Sequence, residues 1–178
     1  MVLRTSEAEW HGRVQDGGGS VSLGSGAFEG TYSFGSRFEE EPGTNPEELL
    51  GAAHASCFSM ALSLLLTEAG YTPTRIRTVA RVSIERSGNG YAITHIGLAT
   101  EGDVPGLDPK GFAAHAEVAR TTCPVSRALA GVDISLTASL VGKAAATGPR
   151  PSAALRAAQP ARAHVTTRRR SERFRRAR

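Results

Sequence analysis

The sequence predicts an α+β fold in which two groups of strands flank one long apolar helix. Three observations favour this class: short strand patterns with glycine turns before residue 35, an apolar helical stretch over 45–70, and a strand hairpin over 76–100. A second helical stretch and a last alternating strand follow. The order strands, long helix, hairpin, helix and strand is typical of an α+β domain with an antiparallel sheet.

The N-terminal part of the chain is predicted to form three short strands. The glycine run at 17–19 is a turn between strand patterns at 10–14 and 20–23, and the third strand is expected within 27–34. The charged residues that follow, 35–44, are predicted to form a loop. This region therefore supplies one small sheet, and the loop joins it to the long helix.

The long helix has clear start and stop signals. Asn45 is a good N-cap, Pro46 fits the first helical position, and Glu48 has the spacing of a capping box. Gly70 is a good terminator. We therefore predict a helix of about 25 residues, which is about 38 Å long at the usual rise per residue.

The length and composition of this helix predict a second copy of the chain. A compact domain of 142 residues is about 37 Å across, so the helix would cross all of it. Its residues 49–66 are apolar or small nearly all round, which requires burial on nearly all sides. Because one small sheet cannot cover such a helix, we expect a homodimer.

The second half of the chain is predicted to contain a hairpin, two helices and a last strand. The turn Ser87-Gly88-Asn89-Gly90 is a strong hairpin signal between its flanking strands. A short helix is expected to start at Cys123-Pro124. The predicted ranges are strands at 76–85, 91–100 and 132–140, and helices at 110–122 and 125–130.

Charge divides the chain into two parts. Residues 143–178 carry eleven Lys/Arg and one Glu, a balance of +10, which leaves −6 for residues 1–142 because the whole chain is +4. We therefore predict an acidic domain over 1–142 and a basic tail over 143–178. The Ala/Arg/Pro-rich tail lacks a hydrophobic period and is expected to be disordered. Any nucleic-acid contact by this tail would be weak and non-specific, through phosphate electrostatics.

The sequence predicts a cytoplasmic protein. Its first seven residues lack the apolar run of a secretory signal and soon turn acidic. We find no stretch of about 18 apolar residues, so no membrane-spanning segment is expected. In the cytosol a pair of cysteines is more often catalytic or metal-binding than a structural disulfide.

The two cysteines, Cys57 and Cys123, lie in different settings. Cys123 precedes a short helix, whose positive end should lower the thiol pKa. Cys57 lies in the middle of the long helix, where burial should raise its pKa, so local chemistry alone favours an inert core residue. Glu47 is ten residues earlier on the same helix, about 15 Å along the axis. Glu47 could therefore act on the Cys57 thiol only through an arginine or from a partner chain.

A zinc site is the alternative interpretation of the same cysteines. His54 and Cys57 are three residues apart on one helix face, and His115 and Cys123 could complete a Cys2His2 set. The closely spaced C-x2-C or H-x3-H pairs of such sites are missing. A non-enzymatic zinc module or thiol redox sensor therefore remains the second hypothesis. The sequence contains no P-loop and no G-x-G-x-x-G motif.

Two motifs together resemble one known family. The segment Gly43 to Leu62 contains His-Ala-Ser-Cys-Phe-Ser-Met around Cys57, and the second motif is Cys123-Pro124-Val125-Ser126. Both are similar to the osmotically inducible protein C (OsmC/Ohr) family of thiol-dependent hydroperoxide reductases, and their variants resemble its OsmC branch. The resemblance covers roughly residues 6–141.

The resemblance implies a cofactor-free peroxidase and an OsmC-like fold, with antiparallel sheets around long central helices in an intertwined homodimer. It assigns Cys57 as the peroxidatic cysteine and Cys123 as the resolving cysteine, joined in a disulfide during the cycle. It implies that Arg37 lowers the pKa of Cys57 and that Glu47 orients Arg37. The implied partners are a hydroperoxide substrate and an external dithiol reductant. Organic peroxides are expected to be favoured if Phe58, Met60 and nearby leucines line the pocket.

Overall fold

The computed structural model describes residues 1–141, and the predicted basic tail lies outside these residues. The first three strands form an antiparallel sheet in the order β1-β2-β3: β1 Ser6–His11, β2 Gly18–Leu23 and β3 Glu29–Ser33. β1 starts earlier than predicted and ends at His11, which pairs with Gly18. Gly12 follows at a φ of 84°, where the chain turns, so the predicted strand residue Val14 lies in the connection.

The predicted loop 35–44 contains a short helix, α1 Phe34–Phe38, and that prediction was wrong in part. Two serines form a capping box that the sequence analysis did not identify. The Ser33 hydroxyl accepts from the Ser36 N–H at 3.0 Å, and the Ser33 N–H donates to the Ser36 hydroxyl at 2.9 Å. The long helix, α2 Pro46–Glu68, begins as predicted, with the Asn45 side chain accepting from the Glu48 N–H at 2.8 Å.

The second sheet has the order β4-β5-β6 and is packed against α2 and the later helices. Its hairpin turns at the predicted Gly88-Asn89. These elements are β4 Arg75–Ser87, β5 Gly90–Asp103, α3 Pro109–Thr122, α4 Pro124–Ala128 and β6 Asp133–Leu140.

The prediction of wholly antiparallel sheets was wrong for β6, which pairs parallel with β5. Asp133 lies beside His95, and Leu140 lies beside Gly102. After β5 the chain returns through α3 and α4 to the level of His95, so β6 runs in the same direction as β5. A crossover of this length, usually helical, is what a parallel pair requires.

The core lies between α2, α3 and the inner face of the second sheet. Its members are fully or almost fully buried: Phe58, Leu62 and Leu66 of α2, Ile96 and Leu98 of β5, Val104 after it, Phe112, Ala116 and Ala119 of α3, and Cys123. Burial of these side chains supplies the main driving force for folding of this part of the chain. It also fixes the two helices that carry the cysteines.

One face of α2 remains uncovered in the single chain. Met60 is 75% exposed and Leu64 is 59% exposed, although the helix is apolar. By length and composition alone α2 would be long and apolar enough to cross a membrane, so the sequence-based exclusion of such a segment was too strong. Its inner face lies in the core, and its outer face is the surface that the predicted homodimer would cover. The dimer itself stays a prediction.

Changing Gly102 to alanine is expected to destabilise the fold by about 1–3 kcal/mol, because it overpacks the core. A Cβ at this position would lie within 3.0 Å of three ring carbons of Phe112, which is fully buried and cannot swing away. Urea unfolding measures the loss. Gly90→Ala, on the same strand, is the matched control because its Cβ would meet nothing within 4 Å. Equal stabilities of the two variants would contradict this packing.

Candidate active site

Hydrogen bonds tie α1 to the start of α2. The Ser36 hydroxyl donates to the carbonyl of Thr44 at 2.8 Å, and the Asn45 side chain donates to the carbonyl of Ser36 at 3.2 Å. Asn45 therefore caps α2 with its oxygen and holds α1 with its nitrogen. This arrangement places Arg37 of α1 over Glu47 in the first turn of α2.

Arg37 and Glu47 form a two-pronged ion pair. The Arg37 Nε donates to Glu47 Oε2 at 3.2 Å, and Nη2 donates to Oε1 at 2.7 Å. The Glu47 side chain is only 8% exposed, whereas that of Arg37 is 36% exposed. The guanidinium carbon also lies 5.1 Å from the ring centre of Phe38. Such paired hydrogen bonds fix the orientation of a guanidinium as well as its position.

Arg37 lies between two depressions in the surface. An open cavity of about 460 Å³ is lined by Arg37, Glu47 and small residues of α2, including Gly51 and Ala52. On its other side is an aromatic cleft of about 270 Å³. Four ring side chains line this cleft: Trp10, Tyr32, Phe34 and Phe38. The guanidinium is thus next to both open space and apolar surface.

The structure brings the two cysteines together, in the part of the fold where α2 meets α3 and α4. Cys57 is half-buried on α2, and Cys123 is fully buried between α3 and α4. Both are free thiols, and each thiol shifts the pKa of the other, which requires the two side chains to be close neighbours. Cys123 ends α3, donating its N–H to Ala119 at 2.9 Å, and begins α4. A covalent bond between the two sulfurs requires no long-range movement of the chain.

The pKa values of the two thiols depart in opposite directions. Burial raises the pKa of Cys57, the backbone N–H of Val125 opposes this rise, and the neighbouring Cys123 thiol adds to it. Burial alone would also raise the pKa of Cys123, but the N–H groups of Ser126 and Val125 and the Cys57 thiol outweigh it. The pKa of Cys123 is therefore lowered. Both directions agree with the sequence prediction, which rested on the position of each cysteine relative to a helix end.

A buried pair behind the cysteines, His54 and Ser126, was missed by the sequence analysis. His54 Nε2 lies 2.8 Å from the Ser126 hydroxyl, and both side chains are buried. Ser126 follows Cys123 by three residues in α4, and its side chain contributes to lowering the pKa of Cys123. His54 had been considered only as a zinc ligand. The usable signal was its position one helical turn before Cys57, with Ser126 one turn after Cys123.

The zinc alternative gains no support from the described part of the chain. Within residues 1–141 no three His, Cys, Asp or Glu side chains are grouped so that they could hold a metal ion. His115, the proposed fourth ligand, instead pairs its Nδ1 with the carbonyl of Gly111 at 2.8 Å.

A single chain does not gather all four predicted site residues. Glu47 and Cys57 are separated by ten residues of α2, or about 15 Å along the axis. The cavity beside Arg37 is lined by the start of α2 and by β4, and not by Cys57. The expected apolar lining is also different, because Phe58 is fully buried in the core and Met60 lies on the exposed face.

Comparison with known proteins places the fold and the motifs in one family. The family described as OsmC-like protein matches residues 38–137. The chain is 51% identical over 129 residues to Peroxiredoxin OsmC of Escherichia coli, covering 72% of this chain and 90% of that relative. It is 32% identical over 99 residues to an organic hydroperoxide resistance protein of Xanthomonas axonopodis, covering 53% and 66%.

Solved structures give the same result. An organic hydroperoxide resistance protein OsmC from Legionella pneumophila superimposes with a TM-score of 0.60 at 26% identity, covering 78% of this chain and 99% of that one. An OsmC-like protein from Mycoplasma pneumoniae superimposes with a TM-score of 0.63 at 17% identity, covering 79% and 98%, and shares the fold. The chain belongs to the family of OsmC-like proteins.

Proposed function

We propose that this OsmC-family peroxidase reduces organic hydroperoxides through a two-cysteine cycle, with Cys57 as the nucleophile and Cys123 as the resolving thiol. The observation that carries the proposal is the pair of neighbouring free thiols, one half-buried and one fully buried. The relatives are a peroxiredoxin and an organic hydroperoxide resistance protein, which supports the substrate class. The reducing cytoplasm, where an external dithiol is available, is the proposed compartment.

The cycle has three steps. The Cys57 thiolate attacks the terminal peroxide oxygen, the O–O bond breaks, and the alkoxide takes a proton and leaves as the alcohol. Cys57 is then a sulfenic acid. Cys123 attacks its sulfur to form a disulfide, and an external dithiol reduces this disulfide by thiol exchange. Only the two thiols change redox state, so the cycle needs no cofactor.

The first step needs a cation that a single chain does not bring to Cys57. Because burial raises the pKa of this thiol, little thiolate is present at neutral pH in one isolated chain. Arg37 is the proposed cation, with Glu47 holding its orientation. Among the hydrogen bonds of the described residues, the guanidinium uses two of its five N–H groups, so others can face a peroxide oxygen.

A homodimer would supply this arginine from the partner chain. If two α2 helices pack antiparallel about a twofold axis near residue 52, position 47 of one helix lies opposite position 57 of the other. Ala52 and Ala53 are small and exposed at that point, and Met60 and Leu64 continue the same uncovered face. The site proposed here therefore combines Cys57 and Cys123 of one protomer with Arg37 and Glu47 of its partner.

Intact-mass measurement after one equivalent of cumene hydroperoxide tests the cycle. We expect the protein to lose two hydrogens, which marks an internal disulfide. The Cys123→Ser variant should instead gain one oxygen, as the sulfenic acid. A protein that forms the disulfide but does not consume further peroxide when dithiol is added would be a redox sensor instead. An unchanged mass would contradict the proposal.

The aromatic cleft beside Arg37 supports a preference for organic peroxides. Trp10→Ala is expected to lower kcat/KM for cumene hydroperoxide about tenfold, with little effect on hydrogen peroxide, because it removes apolar contact with the organic group. Leu23→Ala is the control, since it trims an exposed apolar residue of the same sheet outside the cleft. Equal losses for the two peroxides would show that the cleft does not select the substrate.

A further inference from the structure

His54 and Ser126 form a buried hydrogen-bonded pair that the cycle above does not use. The His54 side chain has 0% exposure, Ser126 has 4%, and 2.8 Å separates Nε2 from the hydroxyl oxygen. The same side chain lies in the first turn of α4, whose N-cap is Cys123, and it contributes to lowering the pKa of that thiol. A continuous line of contacts therefore runs from His54 through Ser126 and Cys123 to Cys57. Among the described residues, Cys57 of α2 is the titratable group that acts on the pKa of Cys123, while α4 presents backbone N–H groups and Ser126.

The direction of these hydrogen bonds follows from the protonation of His54. Burial lowers the pKa of His54, so the imidazole is neutral and carries one N–H. Its Nδ1 is buried and has no hydrogen-bond partner among the described residues. If Nδ1 carried the hydrogen, a buried donor would be left unsatisfied, which proteins avoid more strictly than an unsatisfied acceptor. The hydrogen is therefore on Nε2.

This tautomer determines what the Ser126 hydroxyl does. Nε2–H donates to the Ser126 oxygen, so the serine hydrogen cannot point at the imidazole. The serine hydrogen is then free to point at the sulfur of Cys123. A hydroxyl is a good hydrogen-bond donor to such a sulfur when the thiol is ionised. The opposite tautomer would turn the serine hydrogen towards His54 and remove this donor from the sulfur.

We propose that His54 is a positioning residue for the resolving step, in which it fixes the Ser126 hydroxyl as a donor to Cys123 and so holds Cys123 as the attacking thiolate. The proposal rests on the two-cysteine cycle above. In this step the Cys123 thiolate forms the S–S bond with the Cys57 sulfenic sulfur, and the S–O bond of that group breaks. The sulfenic sulfur is reduced and the Cys123 sulfur is oxidised. The hydroxide that leaves takes a proton from solvent, and His54 and Ser126 keep theirs.

Titration of Cys123 in the Cys57→Ser background tests the proposal without requiring peroxidase activity. Thiolate absorbance near 240 nm, followed against pH, reports the pKa of Cys123. Adding Ser126→Ala should raise this pKa by about one unit, because a hydrogen bond to a charged group is lost. His54→Phe should shift it in the same direction, and His54→Gln, which keeps an N–H donor, should restore the lower value.

The combination of variants separates positioning from general damage to the fold. Ser126→Ala together with His54→Phe should raise the pKa no further than Ser126→Ala alone, since both act through one hydroxyl. Thr122→Val is the matched control: it removes a hydroxyl next to Cys123 that is bonded to the carbonyl of Val118 at 2.8 Å. A pKa of Cys123 that Ser126→Ala leaves unchanged would overturn the proposal.

A single-turnover measurement with both cysteines present gives the second readout. In His54→Phe we expect the rate of disulfide formation to fall about tenfold relative to the rate of Cys57 oxidation, in line with the smaller thiolate fraction. An equal fall in both rates would overturn the positioning role. If the unchanged protein consumes no peroxide, the two-cysteine cycle fails, while the titration of Cys123 still decides whether His54 and Ser126 stabilise the thiolate.

Discussion

Peroxide turnover with an external dithiol is expected to fall by at least about a thousandfold when Cys57 is replaced by serine. A serine hydroxyl is a far weaker acid than a thiol and stays protonated at neutral pH, so it cannot attack the O–O bond. Cys123 cannot take over the first step because its side chain is fully buried. Disappearance of cumene hydroperoxide in the presence of dithiothreitol measures the effect.

Cys123→Ser is the necessary companion to this variant, because it separates the nucleophile from the resolving thiol. It should still oxidise once, and the sulfenic acid on Cys57 should be trapped by dimedone and seen as a mass increase. Without a partner thiol the sulfenic acid should persist or oxidise further, so turnover with dithiols should be lost. Full activity of Cys57→Ser would make the assignment of the nucleophile wrong.

Local signals were sufficient to predict the elements whose ends are set by single residues. Asn45 and Pro46 start α2, and the Gly88-Asn89 turn closes the β4–β5 hairpin, as predicted. α1 was missed because five residues are too few to show a helical period, and its cap depends on a pair of serines. The prediction of an antiparallel pairing was wrong for β6. Alternation of side chains does not reveal which neighbour a strand joins or in which direction it runs.

The candidate site was predictable only where chemistry depends on local structure. The opposite pKa directions of Cys57 and Cys123 followed from their positions within and before a helix. The contact between Arg37 and Glu47 was expected from the family resemblance, because nothing in the sequence shows that the segment before α2 folds back. The hydrogen bond between His54 and Ser126 joins residues 72 positions apart, so it can be recognised only in the folded chain.

The exposed face of α2 is a second feature that the sequence predicted only in part. The sequence indicated a helix that is apolar nearly all round, and this was enough to predict that it needs more cover than one small sheet. The structure then shows which side its own chain covers: Phe58 and Leu62 face the core, whereas Met60 and Leu64 remain exposed.

Light scattering at micromolar concentration should give twice the chain mass of 18.7 kDa. A measured mass of one chain would contradict both the predicted homodimer and the proposed site shared between two protomers.

The Glu47→Ala variant should lose about a hundredfold in peroxide turnover. Without the carboxylate, Arg37 loses the two hydrogen bonds that fix its orientation. Glu48→Ala is the matched control. Glu48 lies in the same helical turn, but its side chain contacts the Thr44 hydroxyl at 3.4 Å and not Arg37. This control should therefore keep most of its activity, and a comparable loss in both variants would point to damage at the start of α2.

A mixture of Cys57→Ser and Glu47→Ala chains distinguishes a shared site from a site within one chain. In a mixed dimer, the Cys57→Ser chain still carries Arg37 with Glu47, and its partner still carries Cys57. One of the two sites is then complete, and the other lacks both groups. Random exchange makes half of the dimers mixed, so activity should recover to about a quarter of the value for the unchanged protein. If Glu47 served the cysteine of its own chain, mixing would restore nothing, because each chain would still lack one group that its own site needs.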